Sequence, residues 1–198
     1  MAFPRFPGTT RVGRVLGLPL VVEARTALPA RELGPLLNDA FRWLRRMEDA
    51  PDARLGEVLE RLSRGLSTAG VVDHRVDAGN AVRVRGSARP GERWRIGVRD
   101  PRTGAVRKML FAHDLAVATA GGLSSVESVT VVGPDLAAAE AHAGEIAAMP
   151  LLPARRYAAR LGAEGPYQVL LVDAERRAVS TPGLARYAPT AWARRMAG

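Results

Sequence analysis

The chain has 198 residues, 47% of them hydrophobic, with 29 basic and 20 acidic side chains and a formal net charge of +9. This length allows one domain with a sizeable core. The absence of cysteine excludes disulfides, thiolate metal sites and a cysteine nucleophile, so the fold depends on packing alone.

No segment approaches the run of about 18 apolar residues that a membrane helix needs, and the opening "MAFPRFPGTTRVGRV" lacks the apolar run of a signal peptide. These features predict a soluble, cytoplasmic protein without membrane insertion. The positive charge raises nucleic acid as a partner. Against that, the arginines are scattered, often beside Asp or Glu, and aromatics make up only 5% of the chain. Lys108 is the only lysine, so the surface is arginine-based throughout.

In chain order, "RVLGLPLVVEART" (Arg14–Thr26) reads as a strand interrupted at Gly17 and Pro19. Leu36, Leu37, Ala40, Phe41 and Leu44 fall at helical spacing and predict a helix from about Ala30 to Glu48, with Trp43 and Met47 packing beside the stripe. Leu55, Val58, Leu59 and Leu62 predict a second helix that stops near Gly70. From Val71 the period changes to alternation, and "AVRVRG" and "RWRIGVR" read as an antiparallel meander with a turn at "DPRTG", Asp100 to Gly104. "LAVATAGG" and "VESVTVVG" add two strands. An alanine-rich helix from Leu136 to about Met149 follows, then a helix through "PARRYAARLG" and a final strand, "YQVLLVDAERRAVST", containing the turn "DAERR".

Strands in series and helices in blocks predict an α+β fold, antiparallel sheet with packed helices, in one domain over 1–198. Residues 1–12 and 186–198 are expected to be loosely held, with Trp192 an anchor in the tail.

Read residue by residue, the chemical inventory is thin. His74, His113 and His142 stand far apart in sequence without HxxxH or HExxH spacing. Asp73–His74 and His113–Asp114 read as solvated pairs at strand ends. Glu140, His142 and Glu145 share the alanine helix, but Glu140 and His142 lie about 200° apart around it, so both cannot face one target. Either one of the three serves a site or all three solubilise the helix.

The order of segments resembles the FAD:protein FMN transferases, the ApbE-type flavin transferases. The resemblance runs through "VLGLPLVVEARTALPARELGPLLNDAFRWLRRMED", "DAGNAVRVRGSARPGERWRIGVRDP", "LAVATAGG" and "SVTVVGPDLAAAEAHAGEIAAM". It implies a shortened fold of that family, cleavage of FAD with Mg²⁺, and transfer of FMN to a threonine of a flavoprotein target. Carried over to this chain, the cofactor-binding positions are Gly79, Asn80 and Thr119, and the implied metal ligand is Glu140; no catalytic residue is assigned.

The departures from the family pattern are specific. "VLGL" (Val15 to Leu18) stands where the family has V-M-G-T, and "ARLGE" is what remains of its G-x-x-K-G turn. In "DAGNAV", Asp77 replaces Asn, Asn80 replaces the second Gly and Ala81 replaces Asp. The H-x-I-D-P-x-T-G segment that should follow "AVATAGG" is missing, and "DPRTG" at Asp100 sits at a different place in the order. Gly144 stands where the family has a metal-binding Thr. Together these imply an FMN transferase-like protein with weak or lost activity. The alternatives are a non-catalytic relative that binds flavin or protein, and a basic nucleic-acid-associated domain.

Overall fold

The computed structural model describes residues 8–48, 50, 52–122 and 125–189. Among the described residues there are ten strands and four α-helices, with a 3-10 helix at Pro182–Tyr187. The strands are β1 Gly8–Val15, β2 Leu18–Arg25, β3 Asp73–Ala78, β4 Ala81–Arg85, β5 Trp94–Arg99, β6 Val106–Ala112, β7 Leu115–Gly121, β8 Val126–Gly133, β9 Gln168–Asp173 and β10 Ala178–Ser180. The helices are α1 Ala30–Met47, α2 Leu55–Thr68, α3 Leu136–Ala147 and α4 Leu151–Glu164.

Eight strands form one antiparallel sheet in the order β1-β2-β3-β4-β7-β8-β9-β10, and β5 pairs with β6 as a separate hairpin. Side chains alternate across the sheet and divide the core in two. Ala116, Ala118, Val129, Val131, Val169 and Leu171 face a larger core with the helices. Leu115, Val117, Val132 and Leu170 face the other way, onto Trp94, Ile96 and Leu110 of the hairpin and Leu184 of the 3-10 helix. The central strands are therefore covered on both faces, which is why their sequences read as almost unbroken apolar runs.

The α+β expectation and the positions of all four helices agree with this architecture. On α1 the buried stripe is Leu33, Leu37, Phe41 and Leu44, and on α2 it includes Leu55, Val58, Leu59, Leu62 and Leu66. Gly70 ends the α2 segment with φ +86°, a conformation glycine adopts without steric cost.

Three expectations need correction. The interrupted strand at Arg14–Thr26 is a hairpin: Leu16 and Gly17, at φ 47° and 75°, turn β1 back onto β2. The first strand thus begins at Gly8, so residues 8–12 are paired rather than loosely held; Arg186 and Tyr187 likewise belong to the 3-10 helix. The meander also divides, because β4 leaves β5 and pairs with β7. Residues 1–7 and 190–198, including Trp192, lie outside the described residues. No helix among the described residues is long and apolar enough to cross a membrane.

Candidate functional site

Residue Glu140, the implied metal ligand, projects from α3 onto the start of α2. Its Oε2 accepts the Gly56 N–H at 2.8 Å. Gly56 is the second residue of α2, where the first amides have no partner within the helix, and Arg54 at the N-cap supplies no side-chain bond. Glu140 therefore caps α2 from outside. The reverse contact also exists: Glu60 of α2 accepts the N–H of Leu136, the first residue of α3, at 2.9 Å. Asp135 caps the same helix through the Ala138 N–H at 2.9 Å. Three carboxylates thus serve the two helix N-termini, each favoured there by the local dipole.

The approach of the two helices depends on Gly56 having no side chain. A Cβ there would lie 2.9 Å from the Leu136 carbonyl oxygen and 3.1 Å from the Ala137 Cα, both backbone atoms.

Glu60 is nearly inaccessible and is neutralised by two arginines of β4, Arg83 at 3.1 Å and Arg85 at 3.0 Å. Arg83 and Arg85 alternate with Val82 and Val84, which pack against the β5–β6 hairpin, so the arginines are turned towards the helices. Burial lowers the Arg83 guanidinium below its ordinary pKa, and Glu60 works in the opposite direction.

The same arginine pair borders a buried histidine. Ser63 Oγ lies 2.7 Å from His74 Nε2, and His74 Nδ1 lies 2.8 Å from the Val71 carbonyl. Arg85 Nε donates to Ser63 Oγ at 3.2 Å. Burial is the main cause that lowers His74 to about 4; the Val71 carbonyl opposes it and the arginine charges add to it. Neutral His74 with its proton on Nδ1 satisfies both contacts, with Ser63 donating to Nε2. The expectation of a solvated Asp73–His74 pair is thus wrong for His74, while His113 and Asp114 are exposed.

Gly79, Asn80 and Thr119 do come together. Gly79 turns β3 into β4 at φ +60°. The Asn80 side-chain amide donates to the Thr119 carbonyl, and the Thr119 N–H donates to the Asn80 carbonyl at 3.0 Å. Thr119 Oγ1 pairs with Thr130 Oγ1 at 2.9 Å. The asparagine that replaces a glycine of the family pattern is therefore fastened to β7, and the threonine hydroxyl is bonded within the sheet.

A divalent cation such as Mg²⁺ needs several oxygen ligands around one point. Glu140 spends one carboxylate oxygen on Gly56, and Gly144 has an open flank without an oxygen-bearing side chain. Among the described residues, no group of three His, Asp or Glu side chains gathers into a metal-holding set. These residues do not fit the implied metal. His142 and Glu145 serve another contact: Tyr157 of α4 donates to Glu145 at 2.8 Å and lies 3.1 Å from His142 Nδ1. The Glu145 bond is the chief cause that raises the Tyr157 pKa.

Composition predicts the turn at Asp100 but not its charge. Burial alone would raise the Asp100 carboxyl; the N–H groups of Arg102 and Thr103 and the Arg107 guanidinium outweigh it and hold it at about 2. Glu60, Ser63, His74, Arg83 and Arg85 were also missed as a set. The one available signal was a glutamate and a serine, Glu60 and Ser63, among the buried leucines of α2.

Residues 55–126 match the ApbE family. Among curated proteins, none matches the chain. Among solved structures, the ApbE protein of Thermotoga maritima is similar at a TM-score of 0.73 and 14% identity, over 93% of this chain and 100% of that one. The flavinyl transferase ApbE of Pseudomonas stutzeri, in its apo form, is similar at 0.75 and 11% identity, over 96% and 100%. The flavin transferase ApbE of Vibrio cholerae is similar at 0.71 and 12% identity, over 91% and 99%.

Proposed function

The chain carries an ApbE-family segment on an ApbE-like fold, and from that premise we propose that it is a divergent FAD:protein FMN transferase-like protein whose Mg²⁺-dependent transfer is lost or much reduced. The observation that carries this reading is the 2.8 Å bond from Gly56 N–H to Glu140. It gives the implied metal ligand a structural task, at a place where Gly144 offers no second oxygen.

Phosphoryl transfer depends on neutralising charge that develops on the phosphate oxygens, and each lost interaction of that kind costs about 10²–10³ in rate. Without transfer, the resemblance leaves binding of a flavin or a protein partner as the remaining role. Asn80, lying against Thr119, narrows the approach that a second glycine would leave open, so FAD is expected to bind weakly.

The test is chromatographic measurement of AMP released from FAD with Mg²⁺ and a flavoprotein acceptor. No Mg²⁺-dependent AMP and no covalently flavinylated acceptor are expected. Sustained release that requires both metal and acceptor would refute the reading.

A further inference from the structure

We infer that the outer edge of β1 pairs with the same edge of a second copy of this chain, joining two sheets across a two-fold axis at Val12. β1 ends the eight-stranded sheet, and β2 is the only strand paired with it among the described residues. It is eight residues long, free of proline and in regular register with β2, whereas β10 at the opposite edge has three residues. A long, regular edge carries a row of unpaired N–H and C=O groups that accept another strand.

The first turn fixes which groups these are. Leu16 and Gly17 both have positive φ, the I′ geometry in which the flanking Val15 and Leu18 exchange two hydrogen bonds. Counting back by twos, Gly13, Arg11 and Thr9 bond inward to β2, and Gly8, Thr10, Val12 and Arg14 present their backbone groups outward. Pro19 agrees with this phase: it has no N–H to give and stands opposite Arg14, at a pair that needs none.

Charged side chains commonly guard such an edge, but here the chain's own groups draw them back. Arg11 lies over the Phe41 ring at 5.0 Å, and Arg14 donates to the Gly17 carbonyl at 2.6 Å. Val12, between them, is 69% exposed.

The residue pattern of β1 selects a second copy and sets the register. With the two Val12 residues face to face, Thr10 stands opposite Arg14 and Arg11 opposite Gly13, so no like charges meet, and about six N–H···O bonds form. Sliding one step towards Gly8 sets Arg11 against Arg11. Sliding one step the other way sets Val12 against Arg14 and loses bonds. The net charge of +9 on each copy opposes association, so the dimer should tighten as salt rises.

Sedimentation of the full chain should show a monomer–dimer equilibrium with a Kd between about 1 µM and 1 mM, the range of a small interface. Val12→Pro removes an outward N–H that β2 does not use, and Val12→Arg sets like charges together at the axis. Both variants should be monomeric, with the melting temperature of the native chain at high dilution. The chain has no cysteine, so introduced thiols report the register. A short bis-maleimide should join Val12→Cys to itself. It should not join Thr10→Cys or Arg14→Cys to itself, each lying about 14 Å from its counterpart, but should join a mixture of those two. A chain still monomeric at about 1 mM would overturn the inference and leave the edge to a foreign strand. A dimer that survives both Val12→Pro and Val12→Arg, or open-ended oligomers built on β10, would also overturn it, and self-joining of Thr10→Cys would overturn the register.

Discussion

The backbone amide of Gly56 and the carboxylate of Glu140 meet at 2.8 Å, and the meeting explains both residues. Glycine permits the helices to approach, and the carboxylate rewards the approach by satisfying an exposed amide of α2. Glu60 returns the favour to α3 through Leu136. The α2–α3 junction is thus a mutual capping arrangement, built where the family resemblance implies a metal.

Substituting Gly56→Ala tests that geometry. Alanine is the better helix former by about 1 kcal/mol, yet its Cβ would press on the Leu136 carbonyl and the Ala137 Cα. Overpacking of this kind costs about 1–3 kcal/mol. Urea unfolding should therefore show Gly56→Ala to be less stable than the native chain, and a stabilised variant would disprove the close contact.

Removing the cap gives a second expectation. Glu140→Ala should lower stability by about 0.5–2 kcal/mol, the usual worth of a side-chain cap. Glu140→Gln, which keeps an acceptor oxygen, should recover most of the loss. Identical denaturation curves for all three proteins would show that the bond does no structural work.

The buried histidine sets a pH dependence. His74 is lowered from 6.5 to about 4 when folded, so between those values the unfolded chain binds the proton that the folded chain refuses. Its contribution is complete above about 6.5 and is lost as pH falls towards 4, a change on the order of 3 kcal/mol. Denaturation at a series of pH values should show this slope in the native chain and a shallower one in His74→Gln. Parallel slopes would place the titration elsewhere.

Flavin affinity should respond to the turn between β3 and β4. Asn80→Gly frees the Thr119 carbonyl and removes a side chain from the approach, at the cost of one hydrogen bond. Fluorescence titration should show tighter FAD binding by Asn80→Gly than by the native chain. Equal or weaker binding would remove the crowding explanation.

Much of this fold is visible in the sequence because its periodicities are one-sided. The leucines of α1 and α2 repeat on one face, and the runs in β7, β8 and β9 are apolar because helices cover one side and a hairpin the other. The first hairpin is hidden because Leu16–Gly17 lacks the Asn-Gly or Asp-Gly signal of such a turn. The polar junction is harder still. Alternation in "AVRVR" sends Arg83 and Arg85 to solvent only if one face of the sheet is bare, and here both faces are covered. Gly79, Asn80 and Thr119, which the resemblance groups, meet in space, and Glu140, to which the resemblance gives a ligand's role, accepts the Gly56 amide.

The most direct measurement is calorimetric titration of Mg²⁺ into the protein in the presence of excess FAD, for the native chain and for Glu140→Ala. If Glu140 is a helix cap, neither protein gives a saturable heat assignable to a metal site, and the two traces agree. A saturable one-to-one isotherm in the native chain that disappears in Glu140→Ala would show that the carboxylate leaves Gly56 to bind metal, and the account of a lost site would fall.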